Sequence, residues 1–361
     1  FVGGAFGLVA DSILSNISIT GDSGENSVVY FESSNTPNTA SVGGLIGALW
    51  TRKLADKVLL SGAKTEYIHV AGKAYSDKQT SDDTYDIYVG GAIGVFANPT
   101  PSPKATRKMY IEHITVKNSV IESIGENKML TYAGGIVAGM WWHSETHLSY
   151  AVVINSAVTA SSITAKAYAG GITGLLQNSY INNSLVQNTD VKAVSEANIA
   201  TSAGIASRVK DSYNVSRSYS NASLKSSGGI GSYKAGIHYA TKSQVTTGDK
   251  NFFVSETAGT DKAYATSVNA TYAGEDCALH LVSYGVNKLT IDTVDGKAQV
   301  YPALATHNYP VPIWSSDESV VSITSGSSTP YYAEAKKEGV AYVSAYCTIE
   351  NTDYLLCSYP V

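Results

Sequence analysis

Apolar and polar positions alternate over short segments along most of this chain. Segments rich in Val, Ile, Tyr and Thr are separated by corners rich in Gly and Asn, as in residues 181–186. Alternation with a period of two is typical of β-strands, and no segment sustains the 3.6-residue period of an amphipathic helix. The pattern therefore predicts an all-β chain without helices.

A Gly-Gly pair followed by apolar residues recurs along the first two thirds of the chain. Similarity at a period of tens of residues indicates a solenoid, and the shortest repeat spans about 29 residues. Short strands at this spacing predict a parallel β-helix of about six to seven coils. The pairs begin at Gly3, Gly43, Gly90, Gly134 and Gly170, with weaker copies at Ala203 and Ala235.

A polar residue follows most of these pairs at a fixed distance. Glycine allows the tight corner of the pair, and asparagine tolerates turns and can bond to the coils above and below, so we assign both residue types structural roles. In two coils we expect the polar element to arrive late, after insertions of 15 and 8 residues between the first two strands. Position +13 is Asn16, Asp56, Asn183 and Ser216, and the late copies are Asn118 and Asn155.

The motif Gly-Gly-aliphatic-aliphatic-Gly, followed by a strand containing Asn-Ser, resembles the GLUG repeat of bacterial surface proteins. Residues 170–186 show it most clearly, and the resemblance covers roughly residues 1 to 240. It implies an adhesin-like protein without a defined reaction. We therefore expect a first domain over residues 1–275, with a decayed closing region from about residue 240.

From about residue 276 the strands alternate with Pro and Gly at their joints, which predicts a small β-sandwich over residues 276–361. The strand beginning Trp314-Ser315-Ser316 and the turn at Gly339 resemble the group 2 bacterial immunoglobulin-like domain. The resemblance implies a spacer or adhesive stalk, with Trp314 anchoring the core.

Cys347 and Cys357 lie symmetrically about Thr352. If Thr352 is at the tip of a hairpin, the two sulfur atoms face each other and can form a disulfide; otherwise they are two free thiols in strands. Cys277 is left over in either case, so the cysteines do not assign a redox compartment.

Composition narrows the class of protein. Charged residues make up 15% of the chain, the net charge is -5 and no basic block occurs, which excludes a nucleic-acid partner. No apolar run approaches about 18 residues, so we expect no membrane insertion. Abundant Tyr with few Met and Cys is typical of extracellular all-β proteins. The start at Phe1, without a leader, suits a mature secreted protein or an excised fragment.

The two predicted insertions leave the same corner of consecutive coils, so they must pack against each other. The first is stiffened by proline and carries Lys104 and Arg107, whereas the second contains Trp141, Trp142 and His143. Tryptophan rings beside a basic loop can stack on a sugar and hold an acidic substituent. These residues are therefore candidate ligand-binding residues.

Trp50 extends this candidate site, because it follows its Gly pair at +7, as Trp141 does. The two rings would then project from one corner about 10 Å apart, a row that suits an extended glycan. The alternative is that the tryptophans only cover a hydrophobic edge of the solenoid.

Tyr88, Tyr132 and Tyr168 each lie two residues before a Gly pair in three consecutive coils. We expect them to stack in register as an aromatic ladder. The ladder either stabilises the fold or presents an adhesive, self-associating surface.

Catalysis by a β-helix on polysaccharides needs carboxylates aligned across neighbouring coils, and no repeat position carries acids in consecutive coils. No motif indicates a cofactor or a metal. The leading hypothesis is a non-enzymatic adhesin-like protein, secreted or on the bacterial cell surface, that binds a host or microbial surface glycan or protein. The alternatives are a polysaccharide-binding or depolymerising enzyme, and a subunit of an extracellular fibre.

Overall fold

The chain is built from β-strands, and its described residues contain no helix. Short alternating segments with β-branched and aromatic residues give strands of two to eleven residues. No described segment is a helix long and apolar enough to cross a membrane. The computed structural model describes residues 1–23, 27–34, 39–51, 57–76, 85–98, 108–142, 145–182, 184–216, 218–240, 251–254, 266–268, 289–294, 297–302, 313–325, 331–349 and 352–360.

Three parallel sheets form a β-solenoid. Each coil runs through the first sheet, turns at the Gly-Gly corner into the second sheet, and ends in the third. The first sheet contains the strands that precede the Gly pairs: β1 (Val2–Gly3), β6 (Ala40–Gly43), β10 (Asp86–Gly90), β14 (Leu130–Gly134), β18 (Ala167–Gly170), β22 (Ile199–Ala203) and β26 (Gly231–Ala235).

The second sheet contains sixteen strands, because each coil crosses it in two or three strands. They are β2 (Phe6–Ala10), β3 (Leu14–Ser15), β4 (Ser18–Thr20), β7 (Ile46–Trp50), β8 (Lys57–Glu66), β11 (Ile93–Asn98), β12 (Lys108–Lys117), β15 (Val137–Trp142), β16 (Glu145–Ile154), β19 (Thr173–Asn182), β20 (Leu185–Gln187), β23 (Ala206–Ser216), β24 (Tyr219–Ser220), β27 (His238–Ala240), β28 (Phe252–Val254) and β29 (Thr266–Val268).

The third sheet closes each coil with one strand, and alternate side chains of its strands point into the core. Its members are β5 (Ser27–Ser33), β9 (Ile68–Ser76), β13 (Val120–Asn127), β17 (Ala157–Ser162), β21 (Asp190–Ser195) and β25 (Ser223–Gly228). Val70, Ile121, Val158 and Val191 stack in register on the inner side of this sheet and are fully buried. Each such side chain contributes about 1.5–3 kcal/mol to burial free energy.

The Gly pairs occupy the same position in seven successive coils. The first residues of the pairs align from Gly3 to Gly170, with Ala203 and Ala235 continuing the column. After each pair, two consecutive amides donate to one carbonyl of the next coil; for example, Ala92 N and Ile93 N both donate to Ile136 O, at 3.0 and 2.9 Å. The prediction of a parallel β-helix is confirmed at the level of stacked parallel sheets.

A Cβ atom on the second glycine of a pair would overlap the backbone of the next coil. Built on Gly91, it would collide with Gly135 O, and the same collision recurs between Gly44 and Gly91 and between Gly135 and Gly171. These glycines lie outside the left-handed region of the backbone, so close approach between coils explains them rather than turn conformation.

The expected single polar column is wrong, because two separate corners carry left-handed residues. Register places Asn16 beside Gly62 and Gly62 beside His113, and then His113 beside Tyr150. All four have positive φ, between 55° and 68°. We call this column of residues 16, 62, 113 and 150 the first left-handed corner.

Asn118 and Asn155 belong to a second left-handed corner, five residues later in each coil. They align with each other and with Tyr67 and Asn188, all with φ between 46° and 54°. The predicted insertions of 15 and 8 residues are therefore wrong, because the count compared residues of the first left-handed corner in some coils with residues of the second in others. Gly62, His113 and Tyr150 follow their first glycines by 19, 23 and 16 residues, against 13 for Asn16, so three coils carry insertions of 6, 10 and 3 residues. The same register gives Gly62 the place that was expected for Asp56.

Two antiparallel sheets follow the solenoid. The four-stranded sheet has the order β30-β31-β34-β33, and the three-stranded sheet has the order β32-β35-β36. Their strands are β30 (Leu289–Val294), β31 (Lys297–Pro302), β32 (Ile313–Ser315), β33 (Val321–Ser325), β34 (Tyr331–Ala335), β35 (Tyr342–Ile349) and β36 (Thr352–Pro360).

Candidate binding surface

Three consecutive coils carry inserted residues at one corner of the second sheet. β7 ends at Trp50 and β8 begins at Lys57; β11 and β12, and β15 and β16, are separated in the same way. In the next two coils β19 and β23 run through this point without a break. The extra residues therefore leave the solenoid at one place, which we call the insertion corner.

Two tryptophans lie at the end of the strands that enter the insertion corner. Trp50 and Trp141 both pair with Ala97, one from each side, so they share a column two coils apart. Both are half-buried. Trp50 packs edge-on against the ring of Phe1 at 5.1 Å, and Trp141 stacks on Tyr88 at 6.0 Å. One face of Trp141 is thus occupied by the protein itself.

Several residues predicted for the site lie outside the described residues. They are Lys104, Arg107 and His143; Trp142 is the last residue of β15, but its side chain also lies outside the described part. Their roles in binding therefore stay predictions.

The tyrosine ladder forms, but it is not a surface. Tyr88 stacks on Tyr132 at 4.8 Å, and Tyr132 stacks on Tyr168 at 5.3 Å, with ring planes within 9° of parallel. The three side chains are only 1–3% exposed. The predicted surface ladder is therefore wrong in its exposure: the rings fill the inner bend between the first and second sheets, covered by Trp141 and Leu175.

Polar groups bond to the hydroxyl groups of Tyr88 and Tyr132. Tyr88 donates to Asp86 Oδ2 at 2.8 Å, and burial together with the Asp86 charge raises the pKa of Tyr88 well above its usual value. Arg208 reaches back two coils, donates to the Tyr132 hydroxyl and lies 5.1 Å from the centre of the Tyr168 ring. A buried ladder with these polar contacts stabilises the fold, which is the alternative that the sequence left open.

A second aromatic row lies on the strands that leave the insertion corner. Tyr110, His147 and Tyr180 occupy one column of three consecutive coils. Their rings stack at 4.8 and 4.7 Å, and all three side chains are half-buried. The sequence analysis did not identify this row, whose His147 lies within β16, after the insertion corner.

Charged side chains lie beside Tyr110 and His147 at one end of this row. His147 Nε2 donates to Glu145 Oε1 at 2.8 Å, and Lys108 Nζ lies 3.5 Å from the same oxygen. Since the row's rings are stacked along the solenoid axis, their faces cover one another and their edges point outward. The row therefore offers polar ring edges at intervals of about 4.8 Å rather than a flat platform for a sugar.

The strand register does not place Cys347 directly opposite Cys357. β35 and β36 pair Ile349 with Thr352, so Cys347 lies opposite Tyr354 and Cys357 lies opposite Ala345. The two positions are offset by two residues on β35 and by three on β36, because the register shifts between Ala345 and Tyr346. The hairpin turns earlier than the symmetry about Thr352 suggested.

Metal-binding residues do not cluster in the described ranges, where no group of three or more His, Cys, Asp or Glu side chains could hold an ion. Among the described residues Glu112 is the one acid of its column, whose other members are Ser15, Ser61, Ser149, Asn182 and Ser216. Burial raises the pKa of Glu112, and Ser61 bonds to it. No partner carboxylate shares its column in the neighbouring coils.

No protein-family model matches the chain, and neither curated proteins nor solved structures give a match.

Proposed function

We propose that this chain is a non-enzymatic, adhesin-like binding protein, secreted or on the bacterial cell surface, that binds an extended ligand across the insertion corner. One observation carries the proposal: half-buried aromatic rows flank this corner on both sides, Trp50 and Trp141 before it and Tyr110, His147 and Tyr180 after it. Both rows run along the solenoid axis, so a ligand lying along that axis can contact several coils at once.

The chemistry of these rows favours a glycan over a flat apolar partner. Hydroxyl and imidazole edges can form hydrogen bonds with sugar hydroxyls, and the Lys108–Glu145–His147 group adds charge at one end. The tryptophans supply apolar contact area beside these polar edges. A surface glycan or a glycosylated protein is the ligand class that uses all of these groups.

The architecture that accompanies this proposal is a GLUG-type solenoid followed by an immunoglobulin-like β-sandwich. The glycine column of seven coils supports the first part. The two antiparallel sheets support the second, because a sandwich of this kind contains two such sheets.

A glycan array tests the proposal with two double variants, Trp50→Ala/Trp141→Ala and Tyr110→Ala/Tyr180→Ala. We expect each to weaken binding at least about tenfold, since buried aromatic anchors dominate binding energy. Tyr30→Ala is the matched control, because Tyr30 is an aromatic residue 51% exposed on the third sheet, away from the corner. Thermal unfolding of each variant separates lost binding from lost folding.

Three results would contradict the proposal. If both double variants bind like the wild type while folded, the site is elsewhere. Release of reducing ends from the bound polysaccharide would establish the enzyme hypothesis instead. Growth of particle size with concentration in light scattering, without binding to any ligand, would favour the fibre subunit.

A further inference from the structure

An apolar patch lies on the outer side of the second sheet in the fourth and fifth coils. Val152, Ile154 and Leu185 are 0–2% exposed, although their neighbours Val153 and Val186 are the residues that point into the main core. At the same positions the second and third coils carry Lys64, Glu66, Thr115 and Lys117. The outer side thus changes from charged to apolar within one sheet.

The C-terminal hairpin covers this patch. β36 lies against β16 and β20, the two strands that carry Val152, Ile154 and Leu185. Burial of these outward side chains therefore results from a second layer and not from the solenoid core. A patch of this kind would be costly if left exposed to water.

Tyr342, the first residue of β35, inserts into the first left-handed corner. Gly62 leaves a gap in that column, and a Cβ atom at this position would overlap the Tyr342 hydroxyl. The Tyr342 ring stacks on His113 at 3.9 Å with the planes 5° apart, and His113 stacks on Tyr150 at 4.7 Å. Tyr342 thus supplies the ring that the column lacks in the second coil.

Hydrogen bonds fix the tyrosine in this slot. Ser61 Oγ donates to the Tyr342 hydroxyl at 3.2 Å, and that hydroxyl donates to Asn16 Oδ1, also at 3.2 Å. Tyr342 is 8% exposed, and burial raises its pKa. The slot therefore matches a phenol ring in shape, through Gly62 and His113, and in polarity, through Ser61 and Asn16.

We propose that the C-terminal antiparallel unit is a side clasp of the solenoid, held by Tyr342 in the Gly62 slot and by β36 on the apolar patch. Tyr342 contacts the first three coils, and β36 contacts the fourth and fifth. The clasp therefore joins these two parts of the solenoid. In this proposal the unit packs along the flank of the solenoid, whereas the resemblance to an immunoglobulin-like domain implied a spacer or stalk. The occupant of the patch is this chain's own β35–β36 hairpin.

Hydrogen exchange measured by mass spectrometry tests the clasp in the intact chain with three variants. Tyr342→Ala removes the ring, and Gly62→Asn fills the slot while keeping a residue that tolerates positive φ, as Asn16 does. Both should accelerate exchange at least about tenfold in peptides over β16 and β36, with β14 and β18 unchanged, because only the docked layer opens. Tyr342→Phe retains the ring and should change exchange less than Tyr342→Ala.

Unchanged exchange over β16 and β36 in both Tyr342→Ala and Gly62→Asn would overturn the proposal. So would protection in the wild type that grows with protein concentration, because the hairpin would then come from a second copy. If Tyr342→Ala fails to fold, Gly62→Asn still decides, since its substituted residue lies in the solenoid and the C-terminal unit stays intact. Glycan binding is not used in this test, so its result is independent of the proposed function.

Discussion

The two glycines of each pair should respond differently to alanine, although a Cβ atom would collide at both. On Gly90 its closest contact would be Ile93 O, within the same corner, with Ala138 N of the next coil 2.9 Å away, whereas on Gly91 its closest contact would be Gly135 O of the next coil. The chain already carries Ala203 and Ala235 at the first position, yet the second position is glycine in all seven coils. A corner can open locally, but the distance between coils is fixed by the hydrogen bonds on either side.

The structure sets the size of the effect for Gly91→Ala. Separating the third and fourth coils at this corner strains three backbone hydrogen bonds, from Gly91 N to Gly134 O and from Ala92 N and Ile93 N to Ile136 O, all 2.9–3.0 Å long. A buried amide or carbonyl group left without its partner costs about 1–3 kcal/mol. We therefore expect Gly91→Ala to lower the free energy of unfolding by about 3–5 kcal/mol, and Gly90→Ala by about 1 kcal/mol.

Urea unfolding followed by circular dichroism measures both values under the same conditions. A matched pair one coil later, Gly134→Ala and Gly135→Ala, should repeat the order, since Gly135 would collide with Gly171 O. Equal losses at the two positions, or a larger loss at the first, would refute the explanation by spacing between coils.

Three further predictions follow from buried polar groups and from the docked tyrosine. Burial lowers the pKa of His238 from about 6.5 to about 4, so between these values the unfolded state binds a proton that the folded state does not. The contribution of neutral His238 to the free energy of unfolding is therefore fully present above about pH 6.5 and falls by about 3 kcal/mol as the pH falls to about 4. His238→Gln should flatten this pH dependence, measured by urea unfolding at several pH values. His113, whose pKa is lowered in the same way by burial, should make docking of Tyr342 weaker over the same pH range, seen as faster exchange in β36 at pH 5 than at pH 7 at matched intrinsic rates. Tyr132→Phe removes an acceptor of the buried Arg208 and should cost about 1–3 kcal/mol in the free energy of unfolding, whereas Tyr30→Phe at the surface should cost less than about 0.5 kcal/mol.

The sequence predicted the columns that depend on a shared short spacing from the Gly pair. Trp50 and Trp141 follow their pairs by the same seven residues, and the structure places both beside Ala97. The stacking of the tyrosines, two residues before each pair, follows for the same reason. Over such distances no residue has been inserted between the corner and the side chain, so counting along the chain is equivalent to counting along the strand.

Counting failed where two corners resemble each other chemically. Asparagine is favoured at both left-handed corners. Asn118 and Asn155 of the second corner were therefore assigned to the first corner, where His113 and Tyr150 lie. His113 and Tyr150 carry positive φ there, an uncommon backbone conformation for large side chains, and their mutual stacking helps to stabilise it. No short-range pattern distinguishes such residues from ordinary strand residues.

Exposure was harder to predict than register, because the residues that cover a side chain come from other coils. Trp141 leans back over Tyr88, and Arg208 reaches Tyr132 from two coils away. Gly139 provides room for the first contact, since a Cβ atom there would lie 2.7 Å from the Tyr88 ring. A short spacing from the Gly pair predicts which residues share a column. Their solvent exposure depends on the direction in which long side chains of neighbouring coils point.

The same distinction separates the structural tyrosine ladder from the aromatic rows that we propose for binding. The tyrosine ladder is regular and buried, and its rings stack on one another between neighbouring coils. The rows beside the insertion corner are half-buried and stand where the solenoid departs from its repeat. Because a solenoid needs regular columns only for its core and its corners, the irregular outer positions are the ones that can vary for binding. For the same reason Gly62 and the patch around Val152, two departures from the outer pattern, are where the C-terminal unit is held.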